Sequence, residues 1–249
     1  MTTAIVLAGG LGTRLRSAVP DLPKPMAPVD GRPFLEHLLG HWIGQGVVHF
    51  ILSVGYRREA IIGHFGSRWQ GARIDYAVEE QPLGTGGALL LAASLPRPQP
   101  DERFLLLNGD TWFDVPLPRL SAFAHARDAD WCFAMFPATE PGRFMGMRVA
   151  DDGRVLALRH DDQRIGRPAN GGVCLVHPRL IAGLHPGERP VSLDDDLLPA
   201  WLDTGRRCFG LSCDGAFIDI GVPDDFRRAA AFLPRPHSLA GAEHHVLGA

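Results

Sequence analysis

The sequence predicts an α/β fold built on a mostly parallel sheet. Two observations carry this prediction. Through the first half of the 249 residues, short apolar runs alternate with segments of helical periodicity, and several of these runs are apolar at nearly every position. Strands that are apolar on both faces are typical of a parallel sheet that helices cover on both sides. We therefore expect a Rossmann-like, mostly parallel sheet with helices on both faces, followed by a smaller mixed lobe.

The first half supplies the parallel core. Its predicted elements are, in chain order, a strand at 4–7, a helix at 33–45, a strand at 49–54, a helix at 59–69, a strand at 74–78, a helix at 84–95 and a strand at 104–107. Ligands of such sheets bind at the carboxyl ends of the strands. A glycine-rich segment follows Leu7, and an Asn-Gly-Asp turn follows Leu107. Both signals therefore indicate one crevice at that edge of the sheet.

The second half is predicted as the mixed lobe. Its elements are strands at 131–136, 145–149, 154–158 and 172–176, a helix at 195–203, strands at 208–211 and 217–220, and a helix at 224–232. Asp152-Gly153 indicates a hairpin turn between two of these strands. We expect a single domain over residues 1–233. Residues 234–249 show no periodicity and are expected to form a flexible tail.

Composition excludes several classes of protein. The formal net charge is −3 and the arginines are mixed with acids along the chain, so no basic surface for a nucleic-acid backbone is expected. No apolar run reaches membrane-spanning length, and no charged leader precedes the first strand, so we expect a cytoplasmic protein with no membrane partner. The cysteines form no C-x-x-C pair and are expected to be reduced core thiols: Cys132, Cys174, Cys208 and Cys213.

Lys24 is the only lysine in the chain, whereas 24 of the 25 basic residues are arginines. An ammonium is a compact point charge, whereas a guanidinium is a wide planar fork, so the single lysine indicates a crowded anion site. Just upstream, the chain reads Leu7-Ala8-Gly9-Gly10-Leu11-Gly12-Thr13-Arg14-Leu15. This segment is neither a Walker A loop nor a dinucleotide fingerprint. Its backbone amides, with Arg14 and Lys24 close behind, predict a nest for a polyphosphate.

Together these segments resemble the sugar-phosphate nucleotidyltransferases. Besides the glycine segment and Pro23-Lys24-Pro25-Met26, the matching stretches are EEQPLGTGGA at 79–88, LNGD at 107–110, NGGV at 170–173, SLDDDLLP at 192–199 and FIDIGVP at 217–223. The match runs from residue 4 to about residue 233. It implies a glycosyltransferase-A-like nucleotidyltransferase fold, with a nucleotide-binding half at 1–115 and a sugar-phosphate-binding half at 116–233. Among the branches of the family, the chain looks most like the D-glycero-α-D-manno-heptose 1-phosphate guanylyltransferases.

The resemblance also implies roles for individual residues. The implied catalytic residues are Arg14, Lys24, Asp110 and Asp219, of which Asp110 and Asp219 would bind Mg²⁺, a hard ion that takes carboxylate and phosphate oxygens. The implied nucleotide-binding residues are Leu7, Ala8, Gly9, Gly10, Gly12, Thr13, Glu79, Pro82, Gly84 and Thr85. The implied sugar-phosphate-binding residues are Gly146, Asn170, Gly171 and Asp194. In-line attack of the sugar 1-phosphate on the α-phosphorus then releases pyrophosphate, by positioning and charge stabilisation.

The nucleotide is expected to be GTP. Glu79 occupies the position from which the family contacts the base, and a carboxylate accepts hydrogen bonds from N1–H and N2–H₂ of guanine. Uracil and thymine offer one imide N–H. A shift of register would give this role to Glu80 or Gln81, and a uridylyl or thymidylyl transferase is therefore an alternative.

Two sugar 1-phosphates are candidates for the acceptor. Heptose 1-phosphate is favoured, and mannose 1-phosphate is the alternative. The family usually has a Glu-Lys pair where this chain has His160-Asp161, and often a Glu where it has Asp194. Arg159, Arg164 or Arg167 would then supply the missing charge. A second alternative is a catalytically silent relative that binds the same ligands, and homo-oligomer formation is left open.

Overall fold

The structure, a computed structural model, describes residues 2–10, 12, 15, 19–159, 163–187 and 189–233. The strands are β1 (Thr2–Leu7), β2 (Pro28–Val29), β3 (Arg32–Pro33), β4 (Val47–Val54), β5 (Arg68–Trp69), β6 (Ala72–Val78), β7 (Phe104–Asn108), β8 (Thr111–Phe113), β9 (Trp131–Pro137), β10 (Gly146–Val149), β11 (Val155–Arg159), β12 (Pro168–Val176), β13 (Cys208–Ser212) and β14 (Phe217–Asp219). The helices are α1 (Phe34–Gly44), α2 (Arg58–Phe65), α3 (Gly84–Ser94), α4 (Leu117–Ala126), α5 (Leu198–Asp203) and α6 (Pro223–Arg228).

The predicted parallel core forms the centre of the main sheet. Within the described residues, ten strands pair in the order β11-β10-β12-β7-β1-β4-β6-β5, with β9 on β12 and β13 on β9. The four central strands β7, β1, β4 and β6 are parallel. Strand β12 runs antiparallel to β7 and so joins the second half of the chain to the same sheet. The mostly parallel sheet of the sequence prediction is confirmed.

Helices cover both faces of this sheet, as the continuously apolar strands predicted. Alternate residues of β1 point to opposite sides, so Ala4 and Val6 belong to one buried cluster and Ile5 to another. The first cluster packs under α1, α2 and α4, and the second packs under α3 and α5. In the part of the chain that the structure describes, no helix has the length and apolar character needed to cross a bilayer.

Several element boundaries differ from the predictions for local reasons. The helix predicted at 59–69 ends at Phe65, because Gly66 adopts a left-handed conformation (φ 58°) and the next residues form β5. Helix α4 is not among the predicted elements, because Pro116 and Pro118 are typical of a turn, although proline is tolerated in the first turn of a helix. The predicted tail at 234–249 lies outside the described residues.

A small second sheet positions one of the predicted catalytic residues. Strands β8 and β14 pair antiparallel, with Asp219 opposite Thr111. Trp112 and Ile218 from these strands are buried in a third apolar cluster, which also contains Phe34 and Leu15. The pairing brings β14 next to the turn that follows β7. Asp219 and Asp110, which are far apart in sequence, are neighbours as a result.

Candidate active site

A cleft of about 680 Å³ opens at the carboxyl ends of the parallel strands. The segments that follow β1, β4, β6 and β7 form its walls on one side, and β12 with the segment before α5 forms the other side. The predicted site residues that line it are Leu7, Gly9, Gly10, Glu79, Pro82, Gly84, Thr85, Asp110, Asn170 and Asp194. The glycine-rich segment and the Asn-Gly-Asp turn therefore line the same cleft, as predicted.

The glycine loop lies directly against Glu79. A Cβ atom on Gly9 would overlap the Glu79 carboxylate and would come within 3.2 Å of the Gly55 amide nitrogen. The Ser53 hydroxyl donates to Glu79 Oε1 (3.0 Å), and the Leu83 amide donates to Oε2 (3.2 Å). These two bonds fix the orientation of the carboxylate beneath the loop. Thr13 and Arg14 lie outside the described residues.

Lys24 is enclosed behind the glycine loop. Its ammonium forms an ion pair with the Asp110 carboxylate, and its side chain is only 11 % exposed. A Cβ atom on Gly12 would lie 3.1 Å from Lys24 Cβ, and one on Gly221 would lie 3.0 Å from Lys24 Nζ. Two glycines thus leave just enough room for the lysine stem and head. This crowding agrees with the inference drawn from the single lysine.

Asp219 adjoins this pair. The Ile220 amide donates to the Asp110 carbonyl (3.0 Å), and the Gly221 amide donates to Asp219 Oδ1 (2.6 Å). Burial raises the pKa of Asp219, the negative charge of Asp110 raises it further, and the Lys24 ammonium opposes both effects. Two carboxylates this close need a cation between or beside them if both are to be ionised.

Asp110 and Asp219 fit a magnesium ion that is shared with a substrate. Mg²⁺ is commonly held by one or two carboxylates together with phosphate oxygens and water. Among the described residues, no group of three or more His, Cys, Asp and Glu side chains is arranged to hold a metal ion. The chain would therefore offer two carboxylate ligands, and the triphosphate would have to supply others.

The Asn-Gly-Gly turn lies on β12, the strand that pairs with β7. Asn170 Oδ1 accepts a hydrogen bond from the Gly172 amide (3.0 Å), and both residues line the cleft. Gly172 has a left-handed conformation (φ 69°), which favours glycine. Gly171 does not line the cleft, because it packs on Phe113, whose ring a Cβ atom would overlap.

Gly146 and Arg167 lie away from the lining. Gly146 is buried, and a Cβ atom there would lie 2.9 Å from Arg167 Nε. The Arg167 side chain is buried and donates to the carbonyls of Glu140, Phe144 and Arg164 at 2.9–3.1 Å. Its guanidinium thus braces the 140–146 segment instead of reaching the cleft. His160 and Asp161 lie outside the described residues.

Sequence reasoning missed the wall that follows β4. Tyr56, Arg57 and Arg58 all line the cleft. Arg57 is one of the few non-glycine residues with a left-handed conformation (φ 50°), and Arg58 Nη1 lies 3.1 Å from Glu80 Oε1. The carboxyl-end rule, applied to the strand predicted at 49–54, would have found these residues.

Among the described residues, more acidic than basic side chains line the cleft. Five carboxylate residues line it (Glu59, Glu79, Glu80, Asp110 and Asp194), against two arginines (Arg57 and Arg58). Lys24 adds one positive charge just behind the lining. A metal cation would offset the repulsion between these carboxylates and a bound polyphosphate.

The chain is similar to known proteins over most of its length. The family model described as nucleotidyl transferase matches residues 3–235. The chain is 38% identical over 226 residues to the D-glycero-alpha-D-manno-heptose 1-phosphate guanylyltransferase of Aneurinibacillus thermoaerophilus, covering 91% of this chain and 96% of that protein. It is 32% identical over 234 residues to the mannose-1-phosphate guanylyltransferase of Mycobacterium tuberculosis, covering 93% of this chain and 64% of that protein. The crystal structure of HddC from Yersinia pseudotuberculosis complexed with GMP-PN superposes with a TM-score of 0.80 at 29% identity, over 93% of this chain and 99% of that one.

Proposed function

Because the chain belongs to the nucleotidyl transferase family, we propose that it transfers GMP from GTP to D-glycero-α-D-manno-heptose 1-phosphate, giving a GDP-heptose and pyrophosphate. The observation that carries the proposal is the grouping of Lys24 and Asp219 around Asp110, which lines the same cleft as the glycine loop and Asn170. This grouping offers charge for a triphosphate, and the Asn170 turn offers hydrogen-bonding groups for a sugar.

The reaction needs no covalent intermediate with the protein. A phosphate oxygen of the sugar 1-phosphate attacks the α-phosphorus, the bond from that phosphorus to the α–β bridging oxygen breaks, and pyrophosphate leaves with the electron pair. The backbone at Gly9 and Gly10 allows the nucleotide to approach closely, and Lys24 offsets the charge of the phosphates. Asp110 and Asp219 would hold Mg²⁺, which supplies charge neutralisation at the phosphates when bound. The chain thus works by positioning and electrostatics.

We assign recognition of guanine to Glu79. Its carboxylate lines the cleft, and the Ser53 and Leu83 donors hold it in one orientation. Each carboxylate oxygen has two lone pairs, so each retains an acceptor site after these bonds are made. A guanine edge with two parallel N–H donors fits that pair of acceptors. HddC was crystallised with GMP-PN, which supports a guanine nucleotide in this fold.

Glu79→Gln is expected to weaken the preference for GTP over UTP and dTTP by about one to two orders of magnitude. A charge-assisted bidentate pair is worth roughly 1–3 kcal/mol of base discrimination, and a neutral amide offers only one acceptor. The measurement is kcat/KM for the three nucleotides in parent and variant. Glu80→Gln is the matched comparison, because Glu80 also lines the cleft but is 76% exposed and paired with Arg58. Loss of preference in Glu80→Gln instead would move the base-reading role to Glu80.

The assignment of the sugar rests on the relatives and on two residues of the cleft that come from the second half of the chain. The match covers 96% of the heptose 1-phosphate enzyme of A. thermoaerophilus. It covers 64% of the mannose-1-phosphate enzyme of M. tuberculosis. Asn170 and Asp194 are the side chains that we assign to the sugar phosphate. Mannose 1-phosphate is the alternative acceptor.

A panel of substrates tests the function. Pyrophosphate release is measured with GTP, UTP and dTTP, each paired with heptose 1-phosphate and with mannose 1-phosphate, in the presence of Mg²⁺. We expect the highest kcat/KM for GTP with heptose 1-phosphate. A higher value with mannose 1-phosphate would reassign the acceptor, and a preference for UTP would overturn the guanylyl assignment. No release with any pair would favour a catalytically silent relative.

We also propose that the enzyme acts in the cytoplasm. All four cysteines, Cys132, Cys174, Cys208 and Cys213, are buried free thiols. Free thiols are typical of a reducing compartment. A nucleoside triphosphate substrate is consistent with the same location.

A further inference from the structure

Residues 190–194, which we call the strap, lie across the first turn of α3. Four backbone amides take part in the contact. The Val191 amide donates to the Leu83 carbonyl (2.8 Å), and the Val191 carbonyl accepts from the amides of Gly86 (2.8 Å) and Gly87 (3.3 Å). The Leu193 amide donates to the Thr85 hydroxyl oxygen (2.8 Å). The strap and the start of α3 are therefore held together as one unit.

This contact explains two glycines of the Gly-Thr-Gly-Gly run. Gly84 has a left-handed conformation (φ 73°), and a Cβ atom there would overlap the Val191 carbonyl. A Cβ atom on Gly86 would lie 3.0 Å from the same oxygen and 2.9 Å from Leu197 Cδ1. Free amides at the start of a helix commonly bind phosphate, but here the Val191 carbonyl occupies two of them. The run is glycine-rich because the strap passes close to it.

The strap ends at Asp194, which lines the cleft and which we assign to the sugar phosphate. Leu193–Leu197 form a single π-helical turn before α5, and such turns are frequent at functional sites. Ser192 caps this turn by accepting from the Asp195 amide (3.0 Å), and the Ser192 amide donates to Asp196 (2.7 Å). Asp195 and Asp196 are exposed, whereas Asp194 is half-buried and lines the cleft. Of the three consecutive aspartates, Asp194 is thus the one that the turn directs into the cleft.

We propose that Thr85 is a positioning residue for the sugar phosphate. Its hydroxyl oxygen anchors the Leu193 amide, and the next residue is Asp194. Thr85 thereby sets where the Asp194 side chain stands in the cleft, although the sequence resemblance implies a nucleotide-binding role for it. This inference rests on the proposed function, because it needs a sugar 1-phosphate as the second substrate.

The test compares Thr85→Val with Thr85→Ser. Valine keeps the shape of threonine but removes the acceptor for the Leu193 amide, whereas serine keeps the hydroxyl. We expect Thr85→Val to raise the KM for the sugar 1-phosphate about tenfold, the usual effect of leaving a buried amide without a partner. The KM for GTP should stay within about twofold, because Glu79 and the glycine loop are untouched. Thr85→Ser should restore most of the lost affinity.

Thr204→Val is the matched control, since the Thr204 hydroxyl only bonds the Ala200 carbonyl and the Trp201 carbonyl at the exposed end of α5. It should leave both KM values unchanged, and thermal unfolding of every variant is recorded alongside. A rise in the KM for GTP alone would return Thr85 to a nucleotide-binding role and overturn the proposal. Unchanged KM values in Thr85→Val, equal rises in both, or no rescue by serine would also overturn it. A parent that makes no GDP-sugar from any acceptor rejects the proposed function, and with it this inference.

Discussion

Asp110→Asn and Asp219→Asn are each expected to lower Mg²⁺-dependent turnover by about three orders of magnitude or more. Removing one carboxylate from a metal that the triphosphate shares loses several kcal/mol of charge stabilisation in the transition state. Asparagine keeps the shape of aspartate, and at Asp219 it removes the repulsion from Asp110. The fold should therefore remain intact in both variants. The measurement is kcat for pyrophosphate release at saturating Mg²⁺, with thermal unfolding as the check on folding.

Asp114→Asn is the matched control for these two variants. Asp114 directly follows β8, close to Asp110 in sequence, but its side chain is 60% exposed and lies 3.8 Å from His41. Its replacement should leave turnover unchanged. Near-normal turnover in Asp110→Asn or Asp219→Asn would remove that residue from the proposed metal site.

Lys24→Arg should lose at least about a hundredfold in kcat/KM, although it keeps the positive charge. Gly12 and Gly221 leave little room around the lysine stem and ammonium. A guanidinium is larger and directs its donors in a plane, so it would displace the glycine loop or the Asp110 carboxylate. A displacement of about 1 Å can cost two orders of magnitude in rate.

The control for this swap is Arg68→Lys, on the exposed side of the short strand β5. It makes the reverse substitution, arginine to lysine, at a residue that does not line the cleft, and it should leave kcat/KM unchanged. If Lys24→Arg matched the parent, the single lysine would be accidental and the crowding around it would have no functional meaning.

The sequence predicted the parallel core well because its strands are apolar at nearly every position. Val47–Val54 is buried at seven of its eight positions, for example, a pattern typical of a strand covered on both faces. The helix α4 could not be predicted in the same way, because proline occupies its first turn. The ends of β1 and β7 located the cleft, since parallel strands share one carboxyl edge.

The parts of the site that depend on long-range pairing were harder to predict. Asp219 lies beside Asp110 because β14 pairs with β8, and no local sequence pattern predicts that pairing. Residue-by-residue resemblance supplied Asp219, but it could not show that Gly171 packs on Phe113 or that the Thr85 hydroxyl bonds the strap. Glycines and hydroxyls serve both packing and binding, so their sequence signal alone does not separate the two.

The most direct test of the proposed reaction follows the phosphorus atoms of GTP. The parent enzyme is incubated with Mg²⁺, heptose 1-phosphate and GTP that carries radioactive phosphorus at either the α or the γ position, and the products are separated. Attack at the α-phosphorus predicts that the α label appears in a GDP-sugar and the γ label in pyrophosphate, in equal amounts. Transfer of the γ label to the sugar phosphate, or retention of both labels in GTP, would contradict the assignment of this cleft to guanylyl transfer.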